Sequence, residues 1–169
     1  MQKVIACLLM LLLVGFQKYQ RPALWQPWSV INSALRQMPK PILIDVYTDW
    51  CHYCKQMDNS VYKHDSVVAY LQKHFYRYKL NAEGNDTLRW NGKLFQYHNL
   101  YKVHEMALYV SGGNVAYPIT AVIDTNGQPH YQLGALNVNA MELMLRYFIE
   151  HAPQETKAQF AARMAPRWK

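Results

Sequence analysis

Cysteine is scarce in this chain, with 3 among 169 residues, and the scarcity excludes two architectures. A small scaffold stapled by disulfides needs more of them, and no second cysteine pair exists to complete a four-cysteine zinc site. Glycine (7) and proline (8) are also few, and charged residues make up only 17% against 51% hydrophobic. That balance excludes wholesale disorder and low-complexity repeats and leaves material for a core. Acidic residues are in the minority, 11 against 18 Lys and Arg, for a formal net charge of +7. Such a surplus suits an anionic surface or an acidic partner. The aromatics, 14% of residues, fall at packing positions rather than between basic residues, so no nucleic-acid partner is expected. The length gives room for about one ordinary domain.

What is present begins with a leader. Met1-Gln2-Lys3 precedes an apolar run from Val4 to Phe16, after which Gln17, Lys18, Gln20 and Arg21 restore polarity. A charged start and an apolar stretch shorter than the roughly 20 residues that span a bilayer read as an export signal. Residues 1–20 are therefore expected to be a signal peptide. The cleavage-site matches around Leu13-Val14-Gly15 and Arg21-Pro22-Ala23 are only partial, so an uncleaved anchor tethering the protein to a membrane is the alternative. Cys7, inside this segment, reads as apolar filler.

Periodicity organises the rest. Trp28, Val30, Ile31, Ala34, Leu35 and Met38 fit one face of a helix capped by Ser29 and ended by Pro39 and Pro41. Pro41 to Thr48 is a short apolar run rich in branched residues, which suits a central strand. Cys51 to Tyr62 continues as a helix, and Asp65 caps another through Phe75. Phe75 to Leu80 reads as the next strand, and Asn91-Gly92 carries the turn signal of a hairpin. Leu100 to Val110 returns to helical spacing and stops at Gly112-Gly113. Strands at Ile119–Ile123 and His130–Leu133 flank Asn126-Gly127, and Met141 to Ile149 forms a last amphipathic helix. The order α, β, α, β, hairpin, α, β, β, α predicts an α/β fold with a mixed sheet, here over residues 25–152. The basic tail, 153–169, with scattered Phe160, Met164 and Trp168, is expected to be a loosely attached helix or disordered.

Trp50-Cys51-His52-Tyr53-Cys54-Lys55 directly follows the buried-type strand and opens a helix. The first sulfur then sits at a helix N-terminus, where unpaired amides and the positive dipole end favour thiolate over thiol. Its pKa is expected to fall below the free value of about 8.5, into the range of about 3.5–7.5 seen for such motifs. The second sulfur lies one turn inward. Spacing alone does not decide the chemistry, since structural metal sites use the same Cys-x-x-Cys.

With these residues in view, the sequence resembles the thioredoxin superfamily. Asp45 stands six residues before Cys51, where thioredoxins carry a buried carboxylate, and Lys79 matches the lysine beside it. Tyr117-Pro118-Ile119-Thr120 matches the segment holding the family's cis-proline, while Gly127 and Gly134-Ala135-Leu136 match later turns. Trp50 to Asp58, then Val61-Tyr62 and Asp65-x-x-Val68, is most similar to exported thioredoxin-like proteins related to the C-terminal domain of the transmembrane disulfide reductase. The resemblance implies a thioredoxin fold, a mixed central sheet flanked by helices, with an N-terminal helix and an inserted hairpin before the third core helix. The stretch from Asn85 to Ala116 is longer than in thioredoxin itself, and His52-Tyr53 replaces Gly-Pro between the cysteines.

Implied roles follow. Cys51 attacks a disulfide in a partner protein and Cys54 resolves the mixed disulfide, with Asp45, tempered by Lys79, taking the Cys54 proton. Trp50, Tyr117 and Pro118 bind the substrate segment, and His52 and Tyr53 tune the redox potential. No cofactor or resident metal is expected. A periplasmic or otherwise extracytoplasmic reductase needs a membrane-bound electron donor to restore its dithiol. Two other readings stay open: a carrier in which the two thiolates and a histidine hold copper or zinc, and a binding module whose disulfide is structural. His104-Glu105 is no metalloprotease motif, because Leu108 stands where the second histidine belongs.

Overall fold

The computed structural model describes residues 23–168; the leader reading lies outside them. The first helix, α1 (Trp28–Leu35), buries Trp28 and Ile31. Pro27 rather than Ser29 occupies its N-cap, because proline's fixed φ suits the entry and its missing N–H costs a helix start nothing. Strand β1 (Ile42–Tyr47) leads to α2 (His52–Asn59) and α3 (Asp65–His74), after which the chain returns as β2 (Tyr76–Asn81). The two helices supply the crossover that lets β2 lie parallel to β1. Asp65 is the first residue of α3, and His64 stands at the cap.

An insertion follows. β3 (Leu88–Trp90) and β4 (Lys93–Phe95) form the expected hairpin, with Asn91 and Gly92 both at positive φ, 47° and 76°. β5 (Tyr97–His98) pairs with β6 (Val103–His104), and only then does α4 (Glu105–Val110) begin. The helix expected from Leu100 is thus shorter. Lys102 turns the backbone to φ 50°, and the His104 amide donates to Ala82 O at 2.7 Å, fixing an extended segment where apolar spacing looked helical. β7 (Ile119–Ile123), β8 (Pro129–Leu133) and α5 (Val138–Glu150) complete the domain. The sheet order is β2-β1-β7-β8, with β7 antiparallel to both neighbours.

Alternation along the strands builds two cores. Ile42, Ile44, Val46, Ile119, Ala121 and Ile123 point to one face, covered by α1, α4 and the insertion's Leu88, Phe95 and Val103. Leu43 and Val122 point to the other, under Met57 of α2, Leu71 of α3 and Leu145 of α5. Burying each of the larger side chains among these, Ile, Leu, Val, Met or Phe, contributes about 1.5–3 kcal/mol. No helix among the described residues is long and apolar enough to cross a membrane.

The tail differs from its expectation. α6 (Lys157–Arg163) starts at a Thr156–Gln159 capping box and buries Phe160 completely. Beyond it the Arg167 and Trp168 amides donate to the buried carboxylate of Glu142, which Arg146 pairs at 2.9 Å. Residues 156–168 are therefore docked on α5. Nothing local in the sequence marks Glu142 and Arg146 as buried anchors.

Candidate functional site

The strand β1 delivers the chain to one end of the sheet, and Thr48-Asp49-Trp50 turns it into α2. Cys51 is the N-cap of that helix, and its sulfur accepts from the Cys54 amide at 3.1 Å. The two sulfurs are joined in a disulfide with Cα atoms 5.3 Å apart. Cys51 is 5% exposed and Cys54 2%, so both cysteines are largely buried.

Asp45 follows Leu43 by two residues and so faces α2, on the side of the sheet below the disulfide-bearing helix. In register beside it stand Lys79 on β2 and Thr120 on β7. Asp45 is almost fully buried, and that burial pushes its pKa up from 3.8 to about 6, against the pull of Lys79. Its Oδ2 accepts from Lys79 Nζ at 3.0 Å, while Oδ1 is buried with no hydrogen-bond partner. Neither the Tyr62 nor the Thr120 hydroxyl, both buried, makes a well-formed hydrogen bond, although Tyr62 belongs to the electrostatic surroundings of Asp45.

Lys79 Nζ also pairs with Asp58, on α2 one turn beyond Cys54. Three rings surround the ammonium, Tyr47 at 4.8 Å, Trp25 at 5.3 Å and Tyr62 at 6.0 Å from their centroids. Burial works against the charge of Lys79, but the two carboxylates outweigh it and hold its pKa above the ordinary value. A buried carboxylate and its counter-cation thus lie beneath the helix that carries the cysteines, and a second carboxylate reaches the same cation from that helix.

The outer rim is aromatic. Trp50 is 67% exposed, and Tyr53 is also exposed. Trp50 donates from Nε1 to Glu83 at 2.9 Å and meets Tyr117 edge-on with centroids 6.0 Å apart. The Tyr117-Pro118 peptide is cis, with Pro118 buried just ahead of β7. His52 is exposed, its ring 5.7 Å from that of Tyr53. Among the described residues no three His, Cys, Asp or Glu side chains converge into a metal-holding group.

A family model described as a thioredoxin-like domain matches residues 32–149. The chain belongs to the thioredoxin-like domain family. Over 43 residues it is 35% identical to the thiol:disulfide interchange protein DsbD of Pectobacterium atrosepticum, a match covering 25% of this chain and 8% of that protein. A thioredoxin-fold protein from Helicobacter pylori superposes with a TM-score of 0.56 at 13% identity, over 74% of this chain and 80% of its own. The C-terminal domain of Neisseria meningitidis DsbD in its reduced form gives 0.46 at 19% identity, over 71% and 89%. At such identities the Helicobacter likeness speaks for the fold alone.

Within this thioredoxin-like domain, the nine residues singled out from the sequence divide into two groups. Cys51, Cys54, Asp45 and Lys79 belong to the helix start and the sheet face below it; Trp50, His52, Tyr53, Tyr117 and Pro118 form the rim around it. Five neighbours of these groups were missed: Tyr47, Tyr62 and Trp25 around Lys79, Asp58 paired with it, and Glu83 beside Trp50. Asp58 had a legible signal, its position four residues after Cys54, which helical periodicity places on the same side. Trp25 and Glu83 had none, since each arrives from a segment without periodicity.

Proposed function

We propose that this chain is an exported thiol–disulfide oxidoreductase that reduces disulfides in partner proteins. The carrying observation is the Cys51–Cys54 bridge at a helix N-terminus, over a buried carboxylate whose pKa is raised to about 6. In the dithiol form, the Cys51 thiolate attacks one sulfur of a partner disulfide, forming a mixed disulfide and expelling the other partner sulfur as thiolate. Cys54 then loses its proton to Asp45 and attacks Cys51 Sγ. The second partner sulfur leaves, the partner has gained two electrons, and the Cys51–Cys54 bridge has formed. An Asp45 pKa of about 6 leaves most of the carboxylate free to accept a proton near neutrality.

Tyr117 and Trp50 supply apolar contact, and the Tyr117 backbone pairs with an extended partner segment in the manner of strand addition. His52, when protonated, favours the neighbouring thiolate, and Tyr53 adds a second exposed ring beside it. The reading places the protein in an extracytoplasmic compartment such as the periplasm, delivered there by residues 1–20. A membrane-bound donor returns the two electrons after each cycle. Support comes from the family, the short stretch shared with DsbD, and the leader-like N-terminal sequence.

The test is Cys54→Ser expressed in the native compartment. Without its resolving thiol, Cys51 is expected to hold substrates as mixed disulfides that a reductant releases. No adduct, together with no disulfide reduction by the unaltered protein, would count against catalysis.

A further inference from the structure

The outer edge of β2 is not left open. Gln26 donates from its amide to Arg77 O at 2.8 Å, the Arg77 amide donates to Gln26 Oε1 at 3.1 Å, and Arg77 Nε donates to Leu24 O at 2.8 Å. Residues 24–26 are thereby strapped along the edge strand, two positions from Lys79. Trp25, between the clamped residues, packs edge-on against Tyr62 with centroids 4.9 Å apart and forms one wall of the Lys79 box. This segment joins the leader-like N-terminus to the domain.

We propose that Trp25 is a positioning residue of the redox site: its ring holds the Lys79 ammonium between Asp45 and Asp58, and so sets how readily Asp45 accepts the Cys54 proton. The inference rests on reading Cys51–Cys54 as a redox couple.

The lysine has two carboxylates to choose from. Asp45 is 2% exposed and Asp58 35%. Water favours the outer pair, since a hydrated ammonium beside an exposed carboxylate gives up little solvation. Ring faces favour the inner position, because they attract a cation that has shed water. The groups facing Asp45 are Lys79 from β2, Asp58 from α2, Tyr62 just beyond α2, Tyr47 on its own strand and Thr120 on β7. Of these Lys79 alone carries positive charge, so where it sits decides the electrostatics of the pocket. With Trp25 gone, the ammonium hydrates and withdraws toward Asp58, and Asp45 holds its proton to higher pH.

The test follows the Asp45 carboxyl by carbon NMR across pH in the oxidised protein, with the rate of mixed-disulfide resolution as a second readout. Trp25→Ala is expected to move the Asp45 titration up by about half a pH unit, in keeping with the strength of one cation–ring contact. Trp25→Leu, which keeps the site covered but lacks a π-face, is expected to do the same and guards against an Ala variant that fails to fold. Trp25→Phe is expected to restore the parent curve. On a Lys79→Met background, Trp25→Leu is expected to add nothing further. A Trp25→Leu curve that superimposes on the parent, one displaced to lower pH, or a shift that persists without Lys79 would each overturn the proposal. The titration needs no substrate. An unaltered protein that reduces no disulfide therefore refutes the proposed function, whereas an unmoved titration in an active protein refutes the role of Trp25.

Discussion

The same strands present two unlike faces. Toward α1 and α4 the sheet offers Ile42, Ile44, Val46, Ile119, Ala121 and Ile123, all buried and apolar. Toward α2, α3 and α5 it offers Leu43 and Val122, and then, at the end where the cysteines sit, Asp45, Lys79 and Thr120. Strand alternation gives both faces an equal opportunity to be hydrophobic, and one gives it up where Asp45, Lys79 and Thr120 stand side by side. The raised pKa of Asp45 measures that sacrifice: a carboxylate kept where burial disfavours its charge. The apolar face carries stability, and the interrupted face gives up part of it to hold charge beneath the cysteine-bearing helix.

Substitutions on the two faces should therefore separate the two properties. The largest effect belongs to the sulfurs: Cys51→Ser should bring disulfide reduction to background in an insulin-turbidity assay and leave the fold intact by circular dichroism. Next, Ile123→Ala on the apolar face should cost about 2–5 kcal/mol by denaturant titration and leave the pH dependence of Cys51 alkylation unchanged. Asp45→Asn should do the opposite. The folded-state pKa of Asp45 lies above the unfolded one, so its contribution is intact below about pH 4, is lost as pH rises through about 6, and is a penalty at pH 7.5. Removing the charge should stabilise the oxidised protein there by on the order of 1–3 kcal/mol, with the gain vanishing near pH 4. The same variant should resolve mixed disulfides more slowly. Smallest in stability terms is Trp50→Ala, expected to stay within about 0.5 kcal/mol because the ring is largely exposed, while raising KM for a protein disulfide.

Much of this division could be read from the amino-acid sequence. The run Ile42 to Tyr47 announces a strand buried on both faces, which makes Asp45 conspicuous, and a Cys-x-x-Cys directly after such a strand implies a helix start. Local patterns also placed the Asn91-Gly92 turn, because the conformations it needs are encoded in two adjacent residues. Illegible features were those created by contacts between distant segments. Whether Val103 and His104 extend or coil depends on Ala82 O, twenty-odd residues earlier in the chain. The tail is ordered by the Glu142 carboxylate, and the box around Lys79 is closed by a tryptophan from the N-terminal strap. Trp50 was legible as a ring next to the cysteines, but the Glu83 carboxylate that holds its indole was not.

The polar face converges on one sulfur, that of Cys51, whose reactivity can be measured directly. The fully reduced protein is treated with iodoacetamide over a range of pH, and the modified residue is identified by peptide mass mapping. Alkylation at Cys51 should follow an ionisation well below the ordinary thiol value of about 8.5, within the range of about 3.5–7.5 that a helix N-terminus and a neighbouring thiol produce. A Cys51 that ionises at the ordinary value and reacts like any free thiol would leave the polar face without a function.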